Sequence, residues 1–220
     1  MNKRQIKDLL YGHVAQIGKA LASPKRLELL ELLSQSPKTV ETLVAETGMD
    51  VKLASAHLKA LKTAALVASV RQGRFQVYRL VDDDVAKLWV TLRQVASLHL
   101  DDFAQDLQRL VKQPDALTPW QPHELLSHAA AGKLVLIDVR PRAEYDLAHL
   151  PHARSMPLSE LGARLHELPR EVEIVAYCRG PFCLFADEAL ALLRAHGYKA
   201  YKSINGTNEW AAAGLPLQTL

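Results

Sequence analysis

The feature that most constrains the fold of this chain is a long helical pattern that ends at a proline-containing segment. Apolar residues recur at helical spacing between positions 85 and 110. Pro114 and Pro119 follow within a few residues of that pattern, and prolines so placed stop a helix. The segment therefore predicts a boundary between two parts of the chain.

Beyond the prolines the periodicity is different. Short continuous apolar runs occur at 134–137 and 174–176, with helical patterns between and after them. Strands that alternate with helices indicate a buried parallel sheet. We therefore predict two domains, 1–112 and 113–220, of which the first is mainly α-helical and the second is α/β with a central parallel sheet.

Composition narrows the class of protein. The chain is 49% hydrophobic and 23% charged, which is typical of an ordinary globular protein and excludes a disordered or low-complexity one. No apolar run approaches the length of a transmembrane helix. The basic first residues are followed by polar ones rather than by the apolar stretch of a secretory signal. We expect a cytoplasmic protein with no membrane partner.

The positive charge is concentrated in the first half of the chain. Residues 1–110 hold 16 Lys and Arg against 12 Asp and Glu, whereas residues 111–220 hold 11 against 12. Residues 51–80 contain six cations and no acid. Such a surface favours nucleic acid, because displaced counterions supply much of the binding free energy. The alternative is a solvated basic face with no ligand.

The same half has the pattern of a helix-turn-helix. A helix begins at Ser23, whose hydroxyl we expect to cap it, and a short helix runs from Thr39 to Gly48. A third helix begins after Asp50 and has one apolar and one cationic face. Two short strands then flank the segment 71–74, which predicts a hairpin with glycine at its tip and arginine on either side.

Three stretches carry a family resemblance: KALASPKRL at 19–27, SAHLKAL at 55–61 and GRFQVYRL at 73–80. They resemble the ArsR-type winged helix-turn-helix repressors, over residues 5–105. The resemblance implies a homodimer joined through the first and last helices of this domain. It also implies that the dimer binds a two-fold symmetric operator in double-stranded DNA.

The candidate DNA-binding residues lie on the third helix and the hairpin. They are Lys52, Ser55, Ala56, His57, Lys59, Lys62, Arg71 and Arg74. Two positions depart from the family pattern. Ala56 stands where the family often has a longer polar residue, which weakens base contacts there, and Ala65 stands where it often has glycine.

Many relatives sense metals, through paired cysteines in the short helix or through His and carboxylates on the last one. Residues 40–46 contain no thiol. His99, Asp101, Asp102 and Asp106 could be ligands, but carboxylates on an exposed helix are more often simply its solvated face. We expect no metal and no other cofactor, so the sensor should lie in the second half.

The only two cysteines, Cys178 and Cys183, lie in one short segment. It follows the predicted strand 174–177 and precedes a helical pattern, the position at which α/β folds place their ligands. N–H groups of such a loop, with Arg179 nearby, favour a thiolate and should lower the pKa of Cys178. The alternative is an inert cysteine in the core.

The second half carries its own resemblance, to the rhodanese domain, across residues 118–218. The matching stretches occur in the family's order: LIDVR at 136–140, EY at 144–145, HLPHA at 149–153, MPL at 156–158, YCRG at 177–180 and GTNEWAAAGLP at 206–216. The resemblance implies that Cys178 accepts a sulfane sulfur and becomes a persulfide, within a loop that includes Arg179 and Gly180. It also implies that Asp138 and Arg140 brace the site.

The length of the loop discriminates among related enzymes. Phosphatases of this type need an arginine where this chain has Leu184, so phosphatase chemistry is disfavoured. Cys183 stands where rhodaneses often have arginine or another polar group, which weakens the expectation of efficient thiosulfate turnover. It could instead attack a persulfide on Cys178, giving a disulfide and releasing sulfide. Alternatively, Cys183 is a packed thiol with no chemical role.

Three functions remain open at this point. The first is a transcriptional repressor that responds to a sulfane-sulfur donor such as thiosulfate or polysulfide. The second is primarily a sulfurtransferase enzyme, and the third is a regulator whose rhodanese domain is inert.

Overall fold

The structure, a computed structural model, describes residues 1–110 and 116–220. By their internal contacts the residues form two units, Met1–Trp89 and Val90–Leu220. The boundary predicted between residues 112 and 113 lies outside the described residues. In the part of the chain that is described, no helix has both the length and the apolar character needed to cross a membrane.

The first unit is mainly helical, as predicted, with one small antiparallel sheet of order β1-β3-β2. Its elements are α1 (Lys3–Leu21), α2 (Pro24–Gln35), β1 (Lys38–Thr39), α3 (Val40–Thr47), α4 (Val51–Thr63), β2 (Val67–Gln72), β3 (Phe75–Leu80) and the beginning of α5 (Asp83–His99). Helix α5 is continuous across the boundary between the two units.

The predicted helix boundaries are confirmed around the helix-turn-helix. The side chains of Thr39 and Asp50 each accept the N–H three residues later, at 3.1 and 2.9 Å, and so begin α3 and α4. Gly48 ends α3 in the left-handed conformation, with φ of 66°. The predicted hydroxyl cap at Ser23 is wrong: Ser23 occupies the N-cap position of α2, but its side chain makes no capping hydrogen bond.

Helix α4 separates an apolar face from a polar one. Ala54, Leu58 and Leu61 are fully buried and pack with leucines of α2 and α3. Burial of each such leucine contributes about 1.5–3 kcal/mol, so this face fixes the orientation of the helix. The opposite face is therefore held towards solvent.

Ala65, in the turn that joins α4 to β2, has a φ of 55°. This left-handed conformation brings Cβ close to a backbone oxygen in any residue other than glycine. The structure thus explains physically why this position favours glycine.

Replacing Ala65 by glycine should raise the free energy of unfolding by about 1 kcal/mol, since relief of the left-handed strain exceeds the entropy that glycine adds to the unfolded chain. That corresponds to about 3 °C in Tm. Thermal unfolding followed by circular dichroism measures it. The matched control is Ala45→Gly within helix α3, which should lower stability by about 1 kcal/mol; a loss of stability in both variants would contradict the explanation.

The second unit contains a four-stranded parallel sheet of order β5-β4-β6-β7, which confirms the predicted α/β architecture. Its further elements are α6 (Asp101–Leu110), α7 (Pro122–Ala130), β4 (Leu134–Asp138), α8 (Arg142–Leu147), β5 (Arg154–Ser155), α9 (Leu158–Arg164), a 3₁₀ turn (Leu165–Glu167), β6 (Glu173–Tyr177), α10 (Phe185–Ala195), β7 (Ala200–Lys202) and α11 (Thr207–Ala212).

The register of the two central strands positions the cysteines. Strands β4 and β6 pair along their whole length, from Leu134 opposite Glu173 to Asp138 opposite Tyr177. Alternate residues of both strands pack into separate apolar clusters on the two faces of the sheet. Cys178 follows β6 directly and belongs to one of these clusters, so it lies at the carboxyl edge of the sheet beside the end of β4.

Candidate functional site

Residues 178–184 connect β6 to α10, and residues 178–183 are called here the cysteine loop. Cys178 is buried, with 3% of its surface exposed, whereas Cys183 is partly exposed. The Cys183 N–H donates to the Gly180 carbonyl at 3.1 Å and so closes the loop on itself. Gly180 has a φ of 142°, a conformation that favours glycine.

The expected lowering of the Cys178 pKa is wrong in this structure. Burial raises the pKa of the Cys178 thiol well above its ordinary value, and the interaction with Cys183 adds to the rise. Backbone N–H groups of Gly180 and Ala186 do favour the anion, but desolvation outweighs them. Cys178 Sγ accordingly donates to the Cys183 carbonyl at 3.3 Å.

The pKa of the neighbouring thiol, Cys183, is shifted in the opposite direction. A hydrogen bond from the Cys178 side chain lowers the pKa of Cys183 to about 7, and the N–H groups of Arg179 and Phe185 act in the same direction. The loop and helix start therefore stabilise a thiolate, as expected of their dipoles, but at Cys183. The two shifts therefore favour the neutral thiol at buried Cys178 and the thiolate at partly exposed Cys183.

Arg179 forms an ion pair with Glu144, which was not among the predicted site residues. Its Nε and Nη2 donate to the two Glu144 oxygens at 3.0 and 2.5 Å, and both residues are buried. Glu144 stands near the start of α8, within a stretch of the family resemblance. The ion pair holds the start of the cysteine loop against this helix.

Asp138 and Arg140 form a second buried ion pair beside the loop. Arg140 Nε and Nη2 donate to the Asp138 carboxylate at 3.0 and 2.6 Å. The same guanidinium donates to Thr207 Oγ1 at 3.1 Å and to the Ala148 carbonyl at 2.7 Å. It thereby joins the end of β4 to the start of α11, the geometry expected of a brace.

Gly206 packs directly on the backbone of the cysteine loop. A Cβ at this position would lie 2.3 Å from the Cys178 carbonyl oxygen and 2.7 Å from the Arg179 carbonyl carbon. Both neighbours are backbone atoms, which cannot rotate away. Only glycine fits without a shift of the loop.

Gly206→Ala should therefore lower the free energy of unfolding by about 1–3 kcal/mol, the usual range for overpacking. Denaturant unfolding measures the change. Gly162→Ala in helix α9 is the matched control, because a Cβ there would meet only a leucine methyl at 3.8 Å. Equal stability of wild type and Gly206→Ala would contradict the close approach.

Alkylation followed residue by residue in mass spectrometry should show Cys183 reacting with a midpoint near pH 7, because that is where its thiolate forms. Cys178 should react only at alkaline pH, since burial disfavours its anion. Cys178→Ala should move the Cys183 midpoint upwards by removing the hydrogen-bond donor, whereas Cys178→Ser, which retains a donor, should move it less. Faster reaction of Cys178 at neutral pH would contradict this assignment.

The predicted DNA-binding residues form an exposed surface of the first unit. On α4 the solvent-facing residues are Lys52, Ser55, Ala56, Lys59 and Lys62, and His57 is half-buried. Arg71 and Arg74 are exposed at the hairpin between β2 and β3. The structure therefore brings the predicted cations onto the solvent-facing side of α4 and the hairpin.

The hydrogen bonds and ring contacts of these cations do not neutralise their positive charge. Lys62 donates to Ser69 Oγ at 2.8 Å, and Arg71 donates to the Gly73 carbonyl at 3.2 Å. Arg74 lies over the Phe75 ring, 4.8 Å from its centroid. Among residues 1–110 and 116–220, none of the predicted DNA-binding cations forms an ion pair with an acidic side chain.

The candidate metal ligands considered on the last helix are divided between α5, which carries His99, and α6, which carries Asp101, Asp102 and Asp106. Within the described ranges, no three His, Cys, Asp or Glu side chains are grouped so that they could hold a metal ion.

Two family models match this chain, in the order of the two predicted domains. The model described as "Bacterial regulatory protein, arsR family" matches residues 23–69, which include α4 and the start of β2. The model described as "Rhodanese-like domain" matches residues 121–213, which include the cysteine loop.

Individual relatives match one or both regions. The HTH-type transcriptional regulator Rv0324 of Mycobacterium tuberculosis is 42% identical over 212 residues, covering 96% of this chain and 92% of that protein. A sulfurtransferase of Allochromatium vinosum is 31% identical over 85 residues, covering 38% of this chain and 78% of that protein. A solution structure of the homodimeric winged helix-turn-helix DNA-binding domain of Mb0332 from Mycobacterium bovis, 42% identical, covers 46% of this chain and 93% of that chain, with a TM-score of 0.43.

Proposed function

The chain belongs to the ArsR family of bacterial transcriptional regulators and carries a rhodanese-like domain, and from this premise we propose that it is a repressor that senses sulfane sulfur through its cysteine loop. In this proposal a homodimer binds double-stranded operator DNA through α4 and the hairpin. A persulfide on Cys178, or a disulfide between Cys178 and Cys183, changes the affinity for DNA.

The observation that carries the proposal is the pairing of the only two thiols. Cys178 and Cys183 share one loop, the Cys178 S–H donates to the Cys183 carbonyl, and the Cys178 side chain lowers the pKa of the Cys183 thiol. The loop therefore offers an acid, the buried Cys178 thiol, and a base, the Cys183 thiolate, within five positions of one another. Such a pair can transfer a proton internally when a sulfur donor arrives.

The first step forms a persulfide. Cys183 accepts the Cys178 proton while Cys178 Sγ bonds to a sulfane sulfur of an inorganic polysulfide. A sulfur–sulfur bond of the polysulfide breaks, and the shorter chain leaves with the bonding electron pair. Cys183 thereby acts as general base, which reconciles a raised Cys178 pKa with nucleophilic attack.

The second step resolves the persulfide. Cys183 loses its proton to solvent and attacks Cys178 Sγ, which forms the Cys178–Cys183 disulfide and expels hydrosulfide. The two thiols are oxidised together by two electrons, and the transferred sulfane sulfur is reduced to sulfide. Two equivalents of a reduced cellular thiol return the loop to its starting state by two disulfide exchanges and leave as their own disulfide.

Mass spectrometry of the full chain after polysulfide treatment tests this chemistry. Wild type should lose two hydrogens and release sulfide. Cys183→Ser should accumulate one added sulfur atom on Cys178, more slowly than wild type reacts, because both the general base and the resolving thiol are missing. Cys178→Ser should form no intraloop disulfide, because the sulfur that accepts the sulfane atom and is then attacked is missing. Absence of any modification in wild type would instead mean that the rhodanese domain is an inert module.

Catalytic sulfur transfer is the second candidate function. It is favoured by the similarity to the sulfurtransferase of Allochromatium vinosum and by the position of Cys178 in the loop. Turnover of thiosulfate with cyanide, lost in Cys178→Ser, would support it. We favour sensing because Cys183 occupies a position at which an enzyme would use a substrate-binding cation.

The DNA-binding part of the proposal predicts that Lys59→Ala and Arg74→Ala each weaken binding to all DNA sequences. Each should also reduce the salt dependence of log K by about 1, because one phosphate contact is lost. Fluorescence anisotropy at several salt concentrations measures both quantities. Lys87→Ala is the control, since this exposed lysine of α5 already pairs with Asp84. Wild-type binding by Lys59→Ala and Arg74→Ala would contradict the assigned surface.

A further inference from the structure

Arg93 is a buried arginine that lies outside the residues matched by both family models. It lies on α5 within the second unit, outside residues 121–213, and only 6% of its surface is exposed. Its Nη2 forms an ion pair with Oε1 of Glu209 on α11, whose side chain is only 9% exposed. A guanidinium is removed from water at high cost, so its partner must lie in a fixed place.

Glu209 is in turn packed against the cysteine loop. Its Oε2 accepts the Gly206 N–H at 2.7 Å, and Gly206 lies directly on the Cys178 carbonyl. A Cβ at Gly180 would lie 2.9 Å from the same Oε2. The carboxylate therefore fills the space beside Gly180, and Arg93 holds the carboxylate there.

Arg93 also contacts the other end of the loop. Its guanidinium lies over the Phe182 ring, 5.5 Å from the centroid. Phe103 on α6 packs against the same ring, with the two centroids 5.8 Å apart. One arginine thus contacts the loop directly at Phe182 and, through Glu209, lies beside Gly180.

We propose that Arg93 is a positioning residue for the cysteine loop, which ties the loop to helix α5 through Glu209 and Phe182. Because coupling between two sites is reciprocal, a modification of the loop also changes the stability of α5. That helix begins three residues after β3 of the hairpin and is continuous to His99. It is therefore the element through which sulfur sensing would act on the DNA-binding unit, a last step that rests on the proposed function.

The first test measures the pH profile of Cys183 alkylation by iodoacetamide in the full chain. Loss of Arg93 should let the loop relax, so that Cys183 Sγ moves away from the N–H groups of Arg179 and Phe185 that stabilise the thiolate. The midpoint should then move from about 7 towards that of an ordinary thiol, roughly 8.5, with about a tenfold lower rate at pH 7. Arg93→Lys, which keeps the charge, should restore part of the wild-type profile.

Arg93→Ala leaves Glu209 buried without its cationic partner and can unfold the unit. The double variant Arg93→Met with Glu209→Gln removes both charges together and keeps similar volumes, so it should remain folded. Arg109→Ala is the control, because it breaks an exposed ion pair with Asp106 on α6 and should leave the alkylation profile unchanged. A folded double variant with the wild-type midpoint would overturn the proposal.

The second test measures the reciprocal effect. Alkylation of Cys183 in wild type should speed amide hydrogen exchange in residues 90–99 of α5, and the double variant should show no such response. Unchanged exchange in alkylated wild type would overturn the coupling. Neither test needs a sulfur donor, so a chain that captures no sulfur but shows both effects would refute the proposed function and leave the role of Arg93 standing.

Discussion

Desolvation of Cys178 is the interaction on which the rest of the site depends. Cys178 lies at the end of a central parallel strand and within an apolar cluster, and its backbone carbonyl packs against Gly206. An anion there is costly, so the loop dipoles and the Cys178 proton stabilise a thiolate at Cys183 instead. Burial thus gives the two thiols different chemical roles, although they are only five positions apart.

Much of the architecture could be predicted from local sequence. A few neighbouring residues carry each of the signals that were used. These signals are the caps at Thr39 and Asp50, the glycine that ends α3, and the change from helical spacing to short apolar runs along the chain. The position of Cys178 at the end of a strand followed from the same reasoning. Both family resemblances are confirmed by the matching family models.

The parts that sequence reasoning missed depend on tertiary packing. The direction of the Cys178 pKa shift follows from the depth of burial, which periodicity does not give. Arg93 and Glu209 are 116 positions apart, and no local pattern pairs them. The cap predicted at Ser23 failed for a local reason. Serine is favoured at an N-cap position, but its hydroxyl does not have to make the capping hydrogen bond.

The central claim is that sulfur chemistry at the cysteine loop controls operator affinity. The most direct measurement is the DNA affinity of one preparation before polysulfide, after polysulfide and after reduction, on the DNA upstream of its own gene. The affinity should change about fivefold or more and then return, a typical allosteric coupling, while Cys178→Ser should bind equally in all three states. Equal wild-type affinity throughout, in protein shown by its mass to carry the modification, would contradict the account.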